Sequence, residues 1–172
     1  MVMKSKSKGI GGHTRAYQGR TDDWITPQFI LDALGPFDLD PCCSATQPWK
    51  TAENSYNIDD DGFNKEWLGR VWLNPPYGPE TGKWIGKLAE HNHGTTLIFA
   101  RTETKMFFDH VWDHANSILF LKGRLYFHYP DGTKAKHNSG GPSVLIAYGQ
   151  YDTVKLMKAN KDGLIEGKHV FL

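Results

Sequence analysis

The sequence predicts an α/β domain, a mostly parallel sheet flanked by helices that closes in an antiparallel edge. Three observations predict it. From residue 71 onward, short apolar runs alternate with segments of helical periodicity, the rhythm of strand–helix units. The late apolar runs beginning near residues 118, 124 and 143 follow one another without a helix, which calls for antiparallel neighbours. The length of 172 residues suits one domain, large enough to bury about 70% of its unfolded surface without a disulfide or metal staple.

The elements follow in order. Residues 1–20 carry Lys4, Lys6, Lys8, Arg15 and Arg20 around Gly9, Gly11 and Gly12. Little there can pack, so a flexible basic arm is expected, either solvated or touching phosphates, with a single domain over 21–172. Gly9 to Gly12 is no phosphate loop, because no strand precedes it and no Gly-Lys-Ser/Thr follows. Thr26 can cap a helix, Pro27 suits its first turn, and Phe29, Ile30 and Leu34 give it an apolar face. Gly35 and Pro36 stop it. Phe37 to Asp40 alternates as a short strand ending at Pro41. Residues 44–66 are polar and irregular, with Asp59, Asp60 and Asp61 in a row. Val71-Trp72-Leu73 is a strand that stops at Asn74-Pro75-Pro76-Tyr77-Gly78. Helices are expected over Thr81–His91, Glu103–His114 and Thr153–Asn160. Strands are expected over Thr95–Ala100, Ile118–Leu121, Arg124–Tyr129 and Ser143–Tyr148, with a loop from Pro130 to Pro142.

Composition removes several functions. With 20 Lys+Arg against 19 Asp+Glu, the net charge is +1, which is neither histone-like nor an acidic tail. No apolar run is long enough to span a membrane, and no apolar stretch follows the basic N-terminus as in a secretory signal. Cys42 and Cys43 are adjacent and make no disulfide framework, which suits a reducing cytoplasm. Of the 22 aromatic residues, 6 are Trp; core filling accounts for most, and stacking on a planar ligand is the other use.

Asn74-Pro75-Pro76-Tyr77 is the run that carries chemistry. Two prolines fix two φ angles and remove two N–H donors, so the loop is stiff and its carbonyls are free to accept. The Asn74 amide oxygen and the Pro75 carbonyl place two acceptors near one amino group, and Tyr77 adds a stacking face. Ligands of open α/β sheets bind at the carboxyl ends of strands, where this loop sits. A pocket for an amino-bearing base is the expectation.

The same loop resembles the signature of S-adenosylmethionine-dependent amino-methyltransferases that act on adenine N6 or cytosine N4. The wider chain is similar to the small phage-encoded DNA N6-adenine methyltransferases, through Asp23 to Pro27, Phe37 to Pro41, Asp60-Asp61-Gly62, Val71 to Gly78, Ala100 to Thr104 and Phe120 to Arg124. The resemblance implies a methyltransferase-like fold, S-adenosylmethionine as cofactor, double-stranded DNA as partner, and the cytoplasm of a bacterial host. It implies that Asn74, Pro75, Pro76 and Tyr77 are catalytic, the adenine being flipped out and held by Tyr77. It places Trp24, Thr26, Pro27, Asp40 and Pro41 by the amino-acid portion of the cofactor, and Asp60, Asp61 and Phe63 by its ribose and adenine. A solvated acidic turn is the other reading of Asp59 to Asp61. Two departures stand out. Pro41-Cys42-Cys43-Ser44-Ala45 replaces the expected glycine-rich turn. Only 33 residues separate Asp40 from Asn74, so the N-terminal half of the sheet must be trimmed.

Other acceptors for the same chemistry are cytosine N4, RNA or a protein amide. A reading of another class is a DNA-binding module with a decayed pocket. For DNA contact the segment Lys122 to His137 is expected to be a hairpin or long loop, with Lys122, Arg124, Lys134 and Lys136 on phosphates; an ordinary charged edge hairpin is the plainer reading. Arg101, at a strand end beside the pocket, is a further candidate to line it or to cap the next helix. His91, His93, His110 and His114 have ligand-like spacing, but no Cys pair or metalloprotease Glu joins them, so no metal site is read.

Overall fold

The computed structural model describes residues 23–172; the basic arm expected over 1–20 lies outside them. The chain runs α1 (Gln28–Leu34), β1 (Leu39–Asp40), β2 (Asn54–Ser55), a 3-10 turn (Ile58–Asp60), β3 (Val71–Leu73), α2 (Thr81–His91) and β4 (Gly94–Phe99). It continues with α3 (Lys105–Phe107), which passes into a π-helical turn (Phe108–Trp112), then β5 (Ser117–Leu121), β6 (Ser143–Tyr148), α4 (Gln150–Lys161) and β7 (Gly167–Phe171).

The seven strands form one sheet in the order β2-β1-β3-β4-β6-β5-β7. From β2 to β4 all neighbours are parallel. From β4 onward all are antiparallel. The trimmed half is β1 and β2, two residues each.

Alternation along the central strands builds a core on each face. Trp72, Leu97, Leu119, Leu145 and Ala147 meet α1 and α4 on one side. Val71, Leu73, Ile98, Ile118, Val144, Ile146 and Tyr148 meet α2 and α3 on the other. A buried ion pair joins the first side to the sheet. Arg70 Nε donates to Asp152 Oδ1 at 2.8 Å, and its Nη1 donates to the carbonyls of Leu34 and Pro36 at the end of α1. Thr95 also donates to Asp152. Burial outweighs these favourable partners and holds the Asp152 carboxyl above its usual range.

Four expectations need correction. Arg124–Tyr129 is not a strand: only His128 pairs, in isolated bridges with Ile25 and Lys134. Both edges of β5 are already taken, by β6 and by β7. Thr26 does not cap α1; Pro27 occupies that position without a side-chain bond, and the Thr26 carbonyl instead accepts from Trp49 Nε1. The stretch 44–66 is not wholly irregular, since it contains β2 and the 3-10 turn. The segment after α4 contains the edge strand β7, for which no element was expected.

Candidate active site

Five parts of the chain reach the same edge of the sheet. β1 ends at Asp40, β3 ends at Leu73 just before Asn74, and β4 ends at Phe99. β6 starts there, because Phe99 pairs with Ser143. The connection 122–142 between β5 and β6 emerges there as well. This carboxyl edge is where an open α/β sheet holds ligands.

The Trp24–Thr26 strip lies across that edge and is held from both sides. Ile25 exchanges two backbone bonds with His128, at 2.9 and 3.0 Å. Asn74 Nδ2 donates to the Trp24 carbonyl at 3.0 Å. Amide orientation follows from the bonds it makes, and the Trp24 carbonyl fixes this one: nitrogen must face it. Asn74 Oδ1 is then buried and has no partner among the described residues.

The loop's other acceptors divide cleanly. The Asn74 carbonyl accepts from the Cys42 thiol at 3.3 Å, and the Pro76 carbonyl from the Thr81 hydroxyl at 2.7 Å. The Pro75 carbonyl accepts no hydrogen bond among the described residues. Over residues 74–76 the acceptors left over are thus Asn74 Oδ1 and Pro75 O. Burial holds the Cys42 thiol well above its usual range, with Asp40 and Cys43 adding to the effect. It is a neutral donor to the loop, and both cysteines are free.

A cavity of about 580 Å³ opens beside this loop. Of the residues expected at a cofactor, Trp24, Thr26, Asp40, Pro41 and Asp61 line it; Pro27, Asp60 and Phe63 do not. Asp60 instead caps the 3-10 turn, where it accepts from the Asn57 backbone at 2.9 Å. Phe63 packs edge-on against Trp84, which does line the cavity. Asp40 accepts from the Thr51 hydroxyl at 2.6 Å and from the Cys42 backbone at 3.1 Å. Burial nevertheless dominates and pushes its pKa up to about 6.

Sequence reasoning gave no role to two residues that shape the cavity, Ile58 and Gly62. Ile58 is 88% exposed at the rim, an apolar side chain facing water. Gly62 backs onto the end of β1 so closely that a Cβ there would stand 2.0 Å from the Pro41 carbonyl oxygen. That is backbone against backbone, and only glycine fits.

A second cavity of about 200 Å³ adjoins the first, and Trp24 and Tyr77 border both. Its remaining walls are Phe99 and Phe127, with His137 to Gly140 at one side. Tyr77 stacks at a tilt on Phe99, centroids 4.7 Å apart. Its hydroxyl is buried without a partner among the described residues, and burial raises the phenol far above its usual pKa.

A family model described as DNA N-6-adenine-methyltransferase (Dam) matches residues 13–168. The chain belongs to that family. No curated protein and no solved structure matches it. The match spans nearly the whole chain, so the sheet with its trimmed parallel half and antiparallel edge is the methyltransferase-like fold of a Dam-family protein.

The basic residues expected on DNA lie outside both cavities. Arg101 is exposed in the turn before α3, where its carbonyl accepts from Thr104. Lys122 pairs with Glu166 at 2.8 Å on the surface. Arg124, Lys134 and Lys136 are exposed on the 122–142 connection, with the Lys134 ammonium 4.5 Å over the Tyr126 ring. No group of three or more His, Cys, Asp or Glu is gathered for a metal ion among the described residues. No helix among them is long and apolar enough to cross a membrane.

Proposed function

We propose that this protein is an S-adenosylmethionine-dependent DNA methyltransferase that modifies the N6 amino group of an adenine turned out of the duplex. The observation that carries the reading is the pair of unpaired acceptors, Asn74 Oδ1 and Pro75 O, on a loop whose Asn74 and Pro76 carbonyls are already bonded. A buried acceptor without a donor is costly, on the order of 1–3 kcal/mol, and a bound amino group relieves that cost.

The large cavity suits the cofactor by its chemistry. Asp40 and Asp61 offer carboxylates to an ammonium and a ribose, while Ile58 and Trp84 offer apolar surface to a purine. S-adenosylmethionine, when bound there, supplies an electrophilic methyl group. The chain's part is orientation. Asn74 and Pro75 accept the two amino hydrogens, which localises the nitrogen lone pair that ring conjugation otherwise withdraws. Tyr77 and Phe99 offer a stacked aromatic wall to the base. Alignment of this kind supplies much of the rate in a direct displacement. Cys42 has no nucleophilic part, since its buried thiol is neutral and donates to the loop. The exposed Arg124, Lys134 and Lys136 would meet phosphates from the same sheet edge.

Transfer of labelled methyl from S-adenosylmethionine to unmethylated duplex DNA, followed by nucleoside analysis, tests the reading. N6-methyladenine as product supports it. N4-methylcytosine, or label in RNA or protein instead, would move the acceptor. DNA binding without any transfer would mean a decayed pocket.

A further inference from the structure

The small cavity has a composition of its own. Four of its nine lining residues are the aromatics Trp24, Tyr77, Phe99 and Phe127, with Ala135 beside them. At about 200 Å³ it falls below the roughly 300–1,000 Å³ of sites for drug-sized ligands, so it takes one ring system and not a whole nucleotide. The polar side comes from one stretch of the 122–142 connection. Ser139 is committed internally: its hydroxyl donates to the Gly141 carbonyl at 2.9 Å and its backbone N–H to the Leu125 carbonyl at 2.7 Å. Those bonds hold the stretch in place, and the Phe99 ring closes on it from the other side, 3.2 Å from where a Cβ on Gly141 would stand. Asn138 is next to this anchor. It lines the cavity, is exposed, and its amide makes no hydrogen bond among the described residues.

We infer that Asn138 is a specificity-determining residue that reads the edge of the acceptor base. This rests on the proposed function and on the small cavity receiving the ring of the base, whose amino group reaches Asn74 and Pro75 in the adjoining large cavity past Trp24 and Tyr77, which border both. With both amino hydrogens taken by those acceptors, the remaining polar features of an adenine are ring nitrogens, which only accept. A side chain that reads them must donate, and Asn138 Nδ2 is the uncommitted amide donor of this wall. With the amino hydrogens already taken, the bidentate pairing of asparagine with the N6 and N7 of adenine is replaced by a single N–H bond to a ring nitrogen. The base is a purine, held by stacking on the aromatic walls and identified by a ring nitrogen. Specificity for the base then comes from the excursion between β5 and β6, and methyl transfer from the loop after β3.

The test crosses protein variants with base analogues in the duplex sequence that the wild-type protein methylates. The target adenine is replaced in turn by 1-deazaadenine and 7-deazaadenine, each lacking one ring acceptor. Wild-type kcat/KM is expected to fall roughly 2- to 13-fold on one of the two. Asn138→Ala is expected to fall by a similar factor on adenine and to show no further loss on that analogue. Asn138→Asp, which exchanges the donor for a carboxylate, is expected to lose at least as much. Affinity for the same duplex with an abasic target is expected to be unchanged in both variants, because no base edge is present to read. Wild-type kcat/KM in Asn138→Ala, or an undiminished analogue penalty in it, would overturn the inference while methylation by the wild-type protein stands. Absence of transfer by the wild-type protein itself would instead overturn the proposed activity, and the inference with it.

Discussion

Replacing Asn74 by aspartate is the sharpest test of how the loop is set. The change is nearly isosteric, so sterics are not at issue. It removes the Nδ2 donor that spans 3.0 Å to the Trp24 carbonyl and puts a carboxylate oxygen against that carbonyl. The lost bond leaves a main-chain acceptor unsatisfied, and a charge now faces it. Together these cost about 2–3 kcal/mol, or roughly 30- to 150-fold if the whole penalty appears in the transfer step. The carboxylate also draws its charge toward whichever donor remains, so Oδ1 is no longer held in one orientation. Single-turnover methyl transfer at pH 8 with saturating cofactor reads the loss directly, and cofactor affinity measured alongside should change less than threefold. A protonated aspartic acid regains a donor, so the rate of Asn74→Asp should recover in part as pH falls toward 5.5, whereas Asn74→Ala should show no such recovery. A rate near wild type at pH 8 would refute the argument that the Trp24 carbonyl orients the Asn74 amide for the proposed transfer.

Three further outcomes are expected. Gly62→Ala places a Cβ 2.0 Å from the Pro41 carbonyl oxygen and 2.8 Å from Tyr56 Cβ; overpacking of this kind costs about 1–3 kcal/mol, so denaturation should show lower stability and calorimetry weaker cofactor binding. For Asp40 the folded pKa of about 6 lies above the ordinary 3.8 because of burial, so the folded state holds the proton more tightly. Its contribution therefore falls as pH rises from about 4 to 6 and is flat above, on the order of 3 kcal/mol in all. Affinity for an ammonium-bearing cofactor should rise over the same window, and Asp40→Asn should flatten both curves in denaturation and calorimetry. Lys134→Ala with Lys136→Ala should lower the salt slope of duplex binding by about 0.9 for each phosphate no longer neutralised; an unchanged slope would place the DNA surface elsewhere.

The sequence was most readable where one segment decides its own structure. α2 spans Thr81–His91, as its periodicity indicates, and β3 with the loop after it follows from three apolar residues stopped by two prolines. Strands that depend on a partner were harder to read. β2 is two exposed residues, Asn54 and Ser55, with no apolar pattern at all. β7 is an edge strand with three of its five residues exposed, the apolar Val170 and Phe171 among them, so no buried apolar alternation marks it. Arg124–Tyr129 carries the aromatic pattern of a strand, yet β7 occupies the edge of β5 it would have needed. The site divides in the same way. Asn74, Asp40 and Tyr77 announce themselves by residue type and place. The grip of the Trp24 carbonyl on Asn74 does not, because the partner is main chain, 50 residues away, and any residue supplies a carbonyl.

β5 and β6 pair directly, Phe120 opposite Val144, so the chain leaves the sheet at residue 122 and returns at 142 to nearly the same point. Such an excursion is a graft site. Closing a longer loop between fixed ends costs only about 0.6 kcal/mol per doubling of its length, so the framework tolerates wide variation in what is carried there. Its main tether is Phe127, buried in the core beside α1, with Leu125 packed near it. A transplanted segment that keeps an aromatic at that position should therefore leave thermal stability almost unchanged while, on the proposed function, exchanging one set of base and phosphate partners for another. In this architecture new recognition can be acquired without disturbing the strands that position Asn74.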